Sequence, residues 1–265
     1  QIAFKDYTPA RGFAGSKWVG LKHFRTFFAS FRFQRVLSNT LCISLYDLAV
    51  SFPFPIMLAL MLNEAVGRIF KGAVQNLSYI PHFLSNVIIV GMINSLVASN
   101  NGLVNSLIKM TGGEPVSFLL EAGWFQTVYV FTKLWQQVGW SSIIYTCALS
   151  SVDDSLYEAA VMDGATIWQK IRYINWPHLK PTIVVLLLLN LGRVMSIGYE
   201  RVYLMQNDLN LRKSEIISTY VYTSGILEGK FSFSTAVGLF NSAVNVMLLV
   251  GANFVSRRVS QSSLW

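Results

Sequence analysis

The chain has 265 residues, 53% of them hydrophobic and only 13% charged, with a mean hydropathy of +0.46. A soluble domain carries about 25% charged residues, so long charge-free stretches are unavoidable here and the composition is that of a membrane protein. The formal net charge of +8 fits cations meeting anionic lipid headgroups at helix ends rather than nucleic acid, because no basic-aromatic module of the RNA-binding kind accompanies it.

Residues 1–35 are polar, glycine-containing and basic. Phe24, Phe27, Phe28 and Phe31 recur at helical spacing with Arg25, Arg32 and Arg35 between them. The spacing predicts an amphipathic helix, either lying in the membrane interface or packed within the protein. A first apolar run covers about 36–63, with Pro53 and Pro55 predicting a break near its middle and Asp47 as its only acidic residue before Glu64. A short turn with Arg68 and Lys71 leads to a second run, about 77–99, which carries Pro81, Asn86 and Asn94. Residues 100–123 have the turn signals of a loop, with VNSLIKM as one short helix inside it. A third run (about 124–150), a polar island (151–181), a fourth run (about 182–199), a polar stretch (200–230) and a last run (about 232–255) follow, then Arg257, Arg258 and a short tail. Each run is near the ~20 residues needed to cross the hydrocarbon layer. Backbone groups in lipid must be bonded internally, so all are expected to be helices.

Catalytic chemistry is hard to find. His23, His82 and His178 are scattered, and Gly225 to Lys230 has the wrong spacing for a phosphate loop, so no nucleotide site is expected. Cys42 and Cys147 lie in apolar runs and read as buried small hydrophobes, without metal spacing or a disulfide framework.

The island SVDDSLYEAAVMDGATIWQKIRYINWPHLKP reads as two short helices with a sharp joint. Ser155 with Glu158 has capping-box spacing, and Thr166 with Gln169 repeats it. Asp153 and Asp154 suit a helix N-terminus. Gly164 stands where a helix end calls for a left-handed residue. Pro177 is expected to stop the second helix and Pro181 to begin the next.

Glu158-Ala159-Ala160, then Gly164, then Ile174 and Pro177, resembles the "EAA" loop that marks permease subunits of binding-protein-dependent ABC importers. Trp176 stands where that family usually has Leu, a change that keeps an apolar contact. The opening IAFKDYTPARGFAGSKWVGLKHF and the closing TAVGLFNSAVNVMLLVGANFVSRR are similar to the polysaccharide and lipo-oligosaccharide branch of the sugar permeases, alginate transporters among them. The resemblance implies an all-α membrane protein with the type I (MetI-like) permease fold. It implies about five transmembrane helices here and a sixth before residue 1. Residues 1–265 would form one permease domain, with 1–35 periplasmic or interfacial and 151–181 a cytoplasmic coupling loop. Glu158, Ala159, Ala160, Asp163, Gly164 and Ala165 would then engage an ATPase subunit. The implied partners are a second, non-identical permease subunit, an ATPase dimer that binds ATP and Mg, an extracytoplasmic solute-binding protein, an oligosaccharide and membrane lipid. The chain itself would bind no cofactor and catalyse no reaction, in the inner membrane of a bacterium.

Polar side chains interrupt the apolar runs. Gln136, Asn190, Asn241 and Trp135 suit a sugar path, since amides bond hydroxyls and aromatic faces cover pyranose rings; amides serve equally as interhelical glue. Lys133 and Arg193 are cations at expected membrane depth, where ionisable groups are functional by default, and they point to an acidic, uronate-containing oligosaccharide. Against this, Lys133 can snorkel, and Arg193 can pair with a helix C-terminus or Glu200. The cytoplasmic assignment of 151–181 leaves more Lys and Arg on the outer side, contrary to the positive-inside rule. The competing reading is an ion-coupled secondary transporter, which calls for internal repeats and embedded acids; no clear repeat is present, and Asp47 is its one candidate acid.

Overall fold

A computed structural model describes the backbone of residues 1–260 and the side chains of residues 1–254. The side chains of Arg257 and Arg258, and the tail after residue 260, lie outside the described residues. The described chain is helical, and its single β-bridge joins Lys5 to Trp18. The longer helices are α1 (Lys22–Ala29), α2 (Phe31–Ser51), α3 (Pro53–Glu64), α4 (Arg68–Tyr79), α5 (Asn86–Leu96), α6 (Leu103–Met110) and α7 (Phe125–Leu149). They continue with α8 (Asp154–Met162), α9 (Ile167–Lys170), α10 (Trp176–Leu191), α11 (Tyr199–Met205), α12 (Leu211–Ser214), α13 (Ile217–Tyr222) and α14 (Phe231–Ser260).

The apolar runs map onto helices with informative differences. Pro53 occupies the first turn of α3, so the expected break falls at Phe52. Together α2 and α3 (Phe31–Glu64) are long and apolar enough to cross a membrane, as is Phe231–Phe254 within α14. The second run is not one straight span. A 3-10 turn at Ile80–Phe83, built on Pro81, divides α4 from α5, and the two bend by 105°. Counted as one broken span, this pair raises the candidate crossings among the described residues to three. The third run becomes the 25-residue α7, long enough to cross but laden with Lys133, Gln136 and Gln137. The fourth run is shifted from its expected position. It begins at Trp176 and ends at Leu191, so residues 192–198 are a turn and an extended stretch. The short helix expected within 100–123 is α6.

Two compact units divide the described chain. The first comprises residues 1–46, 85–129 and 192–248. At its centre Phe27 is fully buried, in ring contact with Phe33, Tyr220, Phe233 and Phe240. The phenylalanine stripe of α1 is therefore packed inside the protein at Phe27, while Phe28 and Phe31 remain exposed. Thr40 accepts from the Ile217 amide at 3.0 Å, and Asn39 donates to the carbonyls of Arg212 and Glu215. The Glu215 carboxylate is buried and held by Arg35 and, at 3.7 Å, by Arg32.

The second unit comprises residues 47–84, 130–191 and the segment from 249 onward. Ile56 and Ala59 of α3, Tyr145 and Leu149 of α7 and Leu179 of α10 form its buried core. α7 approaches α4 so closely at Gly139 that a Cβ there would lie 2.2 Å from the Ser78 carbonyl oxygen. The broken span is held by three side chains of α7. Gln136 donates to the Leu84 carbonyl at 2.9 Å, and the His82 ring stacks on Trp140 at 4.3 Å while bonding Gln137.

Candidate functional site

The polar island forms α8, a tight turn, and a helical rod from α9 through a π-helical turn at Ile171–Asn175 into α10. Its local chemistry explains each step. Asp153, not Ser155, caps α8, its carboxylate accepting from the Ser155 amide at 2.9 Å. That bond holds the Asp153 carboxyl below the usual carboxylate range. The Ser155–Glu158 capping box is therefore not formed: the helix starts two residues too early, and Ser155 already lies inside it. α8 ends in a Schellman arrangement, with the Gly164 amide on the Val161 carbonyl (3.0 Å) and the Ala165 amide on the Ala160 carbonyl (2.8 Å). Gly164 has φ +70, as its place in that motif demands. Thr166 and Gln169 form the expected capping box for α9.

Pro177 does not stop the helix, and Pro181 lies inside α10 rather than at its start. A proline lacks an amide hydrogen and crowds the carbonyl four residues back. The wider π turn immediately before Trp176 carries the chain past Pro177 without breaking the rod.

A polar cluster fastens the island to the end of α3. Lys170 Nζ lies 2.6 Å from Glu64 Oε2, and Asn175 Nδ2 donates to Glu64 Oε1 at 3.2 Å. The Tyr157 hydroxyl donates to Asn175 Oδ1 at 2.5 Å and accepts from Asn63 Nδ2 at 3.2 Å. Burial pushes the Tyr157 hydroxyl above its ordinary range, so it remains a neutral donor. Asn175 is fully buried, and so is Leu179 one turn further along, in the core with Ile56 and Ala59. One face of the island is thus anchored through α8, the π turn and α10.

The opposite character prevails outside. Met162 is 87% exposed and Trp168 79% exposed, with Leu156, Val161, Ile167 and Tyr173 also open. Glu158, Ala159, Asp163 and Gly164 are exposed, while Ala160 and Ala165 are partly covered. Glu158 has no ion-pair partner among the described residues. Exposed apolar patches, here beside an unpaired carboxylate, are the kind of surface that protein or membrane contacts cover.

The six residues singled out for a sugar path differ in burial and in partners. Lys133 is paired with Asp47 at 2.5 Å, so it neither snorkels nor stands as a free cation. Gln136 is buried and serves the Leu84 carbonyl, while its neighbour Trp135 is exposed. Asn190 is exposed and donates to the Leu186 carbonyl of its own helix. Arg193 is exposed on the turn after α10, not within a helix, and Glu200 accepts from Asn86 instead. Asn241 is half-buried with an unpartnered Oδ1. Asn245 of α14 accepts from the Met195 amide at 3.0 Å and donates to the Ser196 hydroxyl at 2.8 Å, fastening the segment after α10 to α14. Cys42 and Cys147 are both exposed, contrary to the burial expected of them.

The description "Binding-protein-dependent transport system inner membrane component" matches residues 51–261. The chain belongs to this family of permease subunits. It is 46% identical, over all of its length and 82% of the relative's, to the polygalacturonan/rhamnogalacturonan transport system permease protein YteP of Bacillus subtilis. It is 43% identical to LplB of the same organism, again over its full length and 83% of the relative's. Among solved structures, a permease chain in the crystal structure of a bacterial alginate ABC transporter, in complex with an alginate pentasaccharide-bound periplasmic protein, superposes with a TM-score of 0.88 at 37% identity. That match covers 93% of this permease and 85% of the other chain. A second alginate-importer structure matches with a TM-score of 0.87 at 38% identity, over 92% and 85% of the two chains. The fold is thus the type I ABC-importer permease fold expected from the EAA-like residues.

Proposed function

We propose that this permease is one transmembrane subunit of an ATP-driven, binding-protein-dependent importer of oligo- or polysaccharides that carry uronic acids. It spans the bacterial inner membrane several times, with residues 151–181 in the cytoplasm. Its partners are a second, non-identical permease chain, a pair of ATPase subunits and an extracytoplasmic solute-binding protein. ATP and Mg belong to the ATPases, and this chain performs no hydrolysis. The observation that carries the reading is the exposed face of Glu158, Met162 and Trp168 on an island bound to α3 through Glu64. Motion imposed on that face by nucleotide-driven closure of the ATPases is delivered to α3 and α10 instead of being absorbed in a loose loop. Substrate class follows the YteP and alginate-importer likenesses.

The test is co-expression with the partner genes and purification of the assembly. ATP hydrolysis is expected to rise when the binding protein carries an oligogalacturonate. An assembly that forms without ATPase subunits, or whose hydrolysis ignores the loaded binding protein, would end this reading. An ion-coupled secondary transporter is the weaker alternative, because its one candidate acid, Asp47, is already neutralised by Lys133.

A further inference from the structure

Within the first unit a cleft of about 500 Å³ opens beside the start of α2, lined by Tyr7, Phe31, Arg32, Tyr220, Lys230 and Phe231 among others. That volume lies in the range of small-molecule sites and suits a disaccharide. The walls are aromatic: Tyr7 and Phe231 meet edge-to-face at 6.2 Å, and Phe31 is 83% exposed. Aromatic faces of this kind cover the apolar face of a pyranose ring while leaving its hydroxyls to polar neighbours.

The charges along the wall are unequal in availability. Lys22 is held by Asp6 at 2.7 Å and Lys230 by Glu228 at 2.6 Å, so both are neutralised at the rim. Arg32 differs from them. Its nearest acid, Glu215, lies at 3.7 Å and gives its other oxygen to Arg35. The Arg32 guanidinium rests 5.7 Å from the Phe31 ring and 5.8 Å from the Tyr220 ring. An arginine with a shared, distant counter-ion and a flat aromatic bed presents a ready fork of N–H donors to a carboxylate.

We propose that this cleft is a saccharide subsite in which Arg32 binds the carboxylate of a uronate unit while Phe31 and its aromatic neighbours cover the ring. The inference rests on the importer reading above and adds to it a named position for charge selection. It differs from Lys133, whose charge is neutralised by Asp47.

The test uses the complete transporter in liposomes with its binding protein. ATPase stimulation is titrated with trigalacturonate and with its fully methyl-esterified counterpart. Arg32→Gln is expected to lower the preference for the acid over the ester about tenfold. Phe31→Ala, on an exposed wall where folding is not at stake, is expected to weaken both sugars about equally, by several-fold. The subsite is overturned if Arg32→Gln leaves the acid-to-ester ratio unchanged, or if Phe31→Ala affects neither sugar. It is also overturned if Arg32→Gln weakens docking of the sugar-free binding protein as much as that of the loaded one, since the guanidinium then meets an acidic side chain of the partner. Wild-type transporter that answers to neither sugar would overturn the importer reading itself, a separate outcome.

Discussion

Lys170 Nζ and Glu64 Oε2 stand 2.6 Å apart although 106 residues separate them in sequence. Both side chains are mostly buried, 18% and 11% exposed, and Asn175 takes the second oxygen of Glu64. This pair is where the polar island becomes continuous with α3. Breaking a buried pair from one side costs about 3–5 kcal/mol at full burial, and less at this partial exposure. Glu64→Ala is expected to leave the complex assembled but to raise the number of ATP molecules hydrolysed per sugar imported. Glu64→Gln, which keeps an acceptor for Asn175, is expected to fall between wild type and Glu64→Ala. An unchanged ratio in Glu64→Ala would show that the pair transmits nothing.

Gly164 separates strain from docking. A Cβ at this position meets nothing within 4 Å, so the chain itself has room for a side chain. The cost of Gly164→Ala is then the left-handed backbone alone, about 1–2 kcal/mol. Gly164→Asn, a residue that tolerates this conformation, should cost less. Gly164→Asp is expected to fold like the Asn variant and yet lower both uptake and coupled ATP hydrolysis, because its charge is added to the docking face. The check is thermal unfolding of the three variants beside transport assays.

Gly139 is the opposite case. Any Cβ there meets the Ser78 carbonyl oxygen at 2.2 Å, a backbone atom that cannot swing aside. Gly139→Ala is expected to destabilise the protein by about 1–3 kcal/mol, the usual range for overpacking, through separation of α4 from α7. A lowered unfolding temperature in detergent would register it.

The cap of α8 sets a pH dependence. The Asp153 carboxyl is depressed below 3.8 by the Ser155 amide, so the folded cap prefers the ionised form. Its contribution is present above the ordinary carboxylate range and is lost only as pH falls through the depressed value. Coupling should therefore be insensitive to Asp153 titration between pH 5 and about 8. Asp153→Asn, which still caps, is expected to match wild type across that range, whereas Asp153→Ala should weaken coupling at every pH tested.

Much of this was legible from residues alone because it is local. Pro53, the Thr166–Gln169 box and Gly164 each act within a few positions, and each performs as its type predicts. The failures were also local rules, overruled by neighbours. Asp153 displaced Ser155 as cap, and a π turn carried the chain past Pro177. What could not be read was pairing across long separations. Glu64 was visible only as a charge closing an apolar run, and nothing near it pointed to Lys170, Asn175 or Tyr157. Lys133 looked available for an acidic ligand because its partner Asp47 lies 86 positions away in sequence. For membrane-embedded amides such as Gln136, polarity alone does not tell a ligand contact from a repaired backbone break.

Cys42 falls in one compact unit and Cys147 in the other, and both thiols are open to the surroundings. Nature has thereby left a two-point handle for spectroscopy. A paramagnetic or fluorescent tag on each native sulfur would report the distance between these two positions through the nucleotide cycle, with no engineered cysteine required.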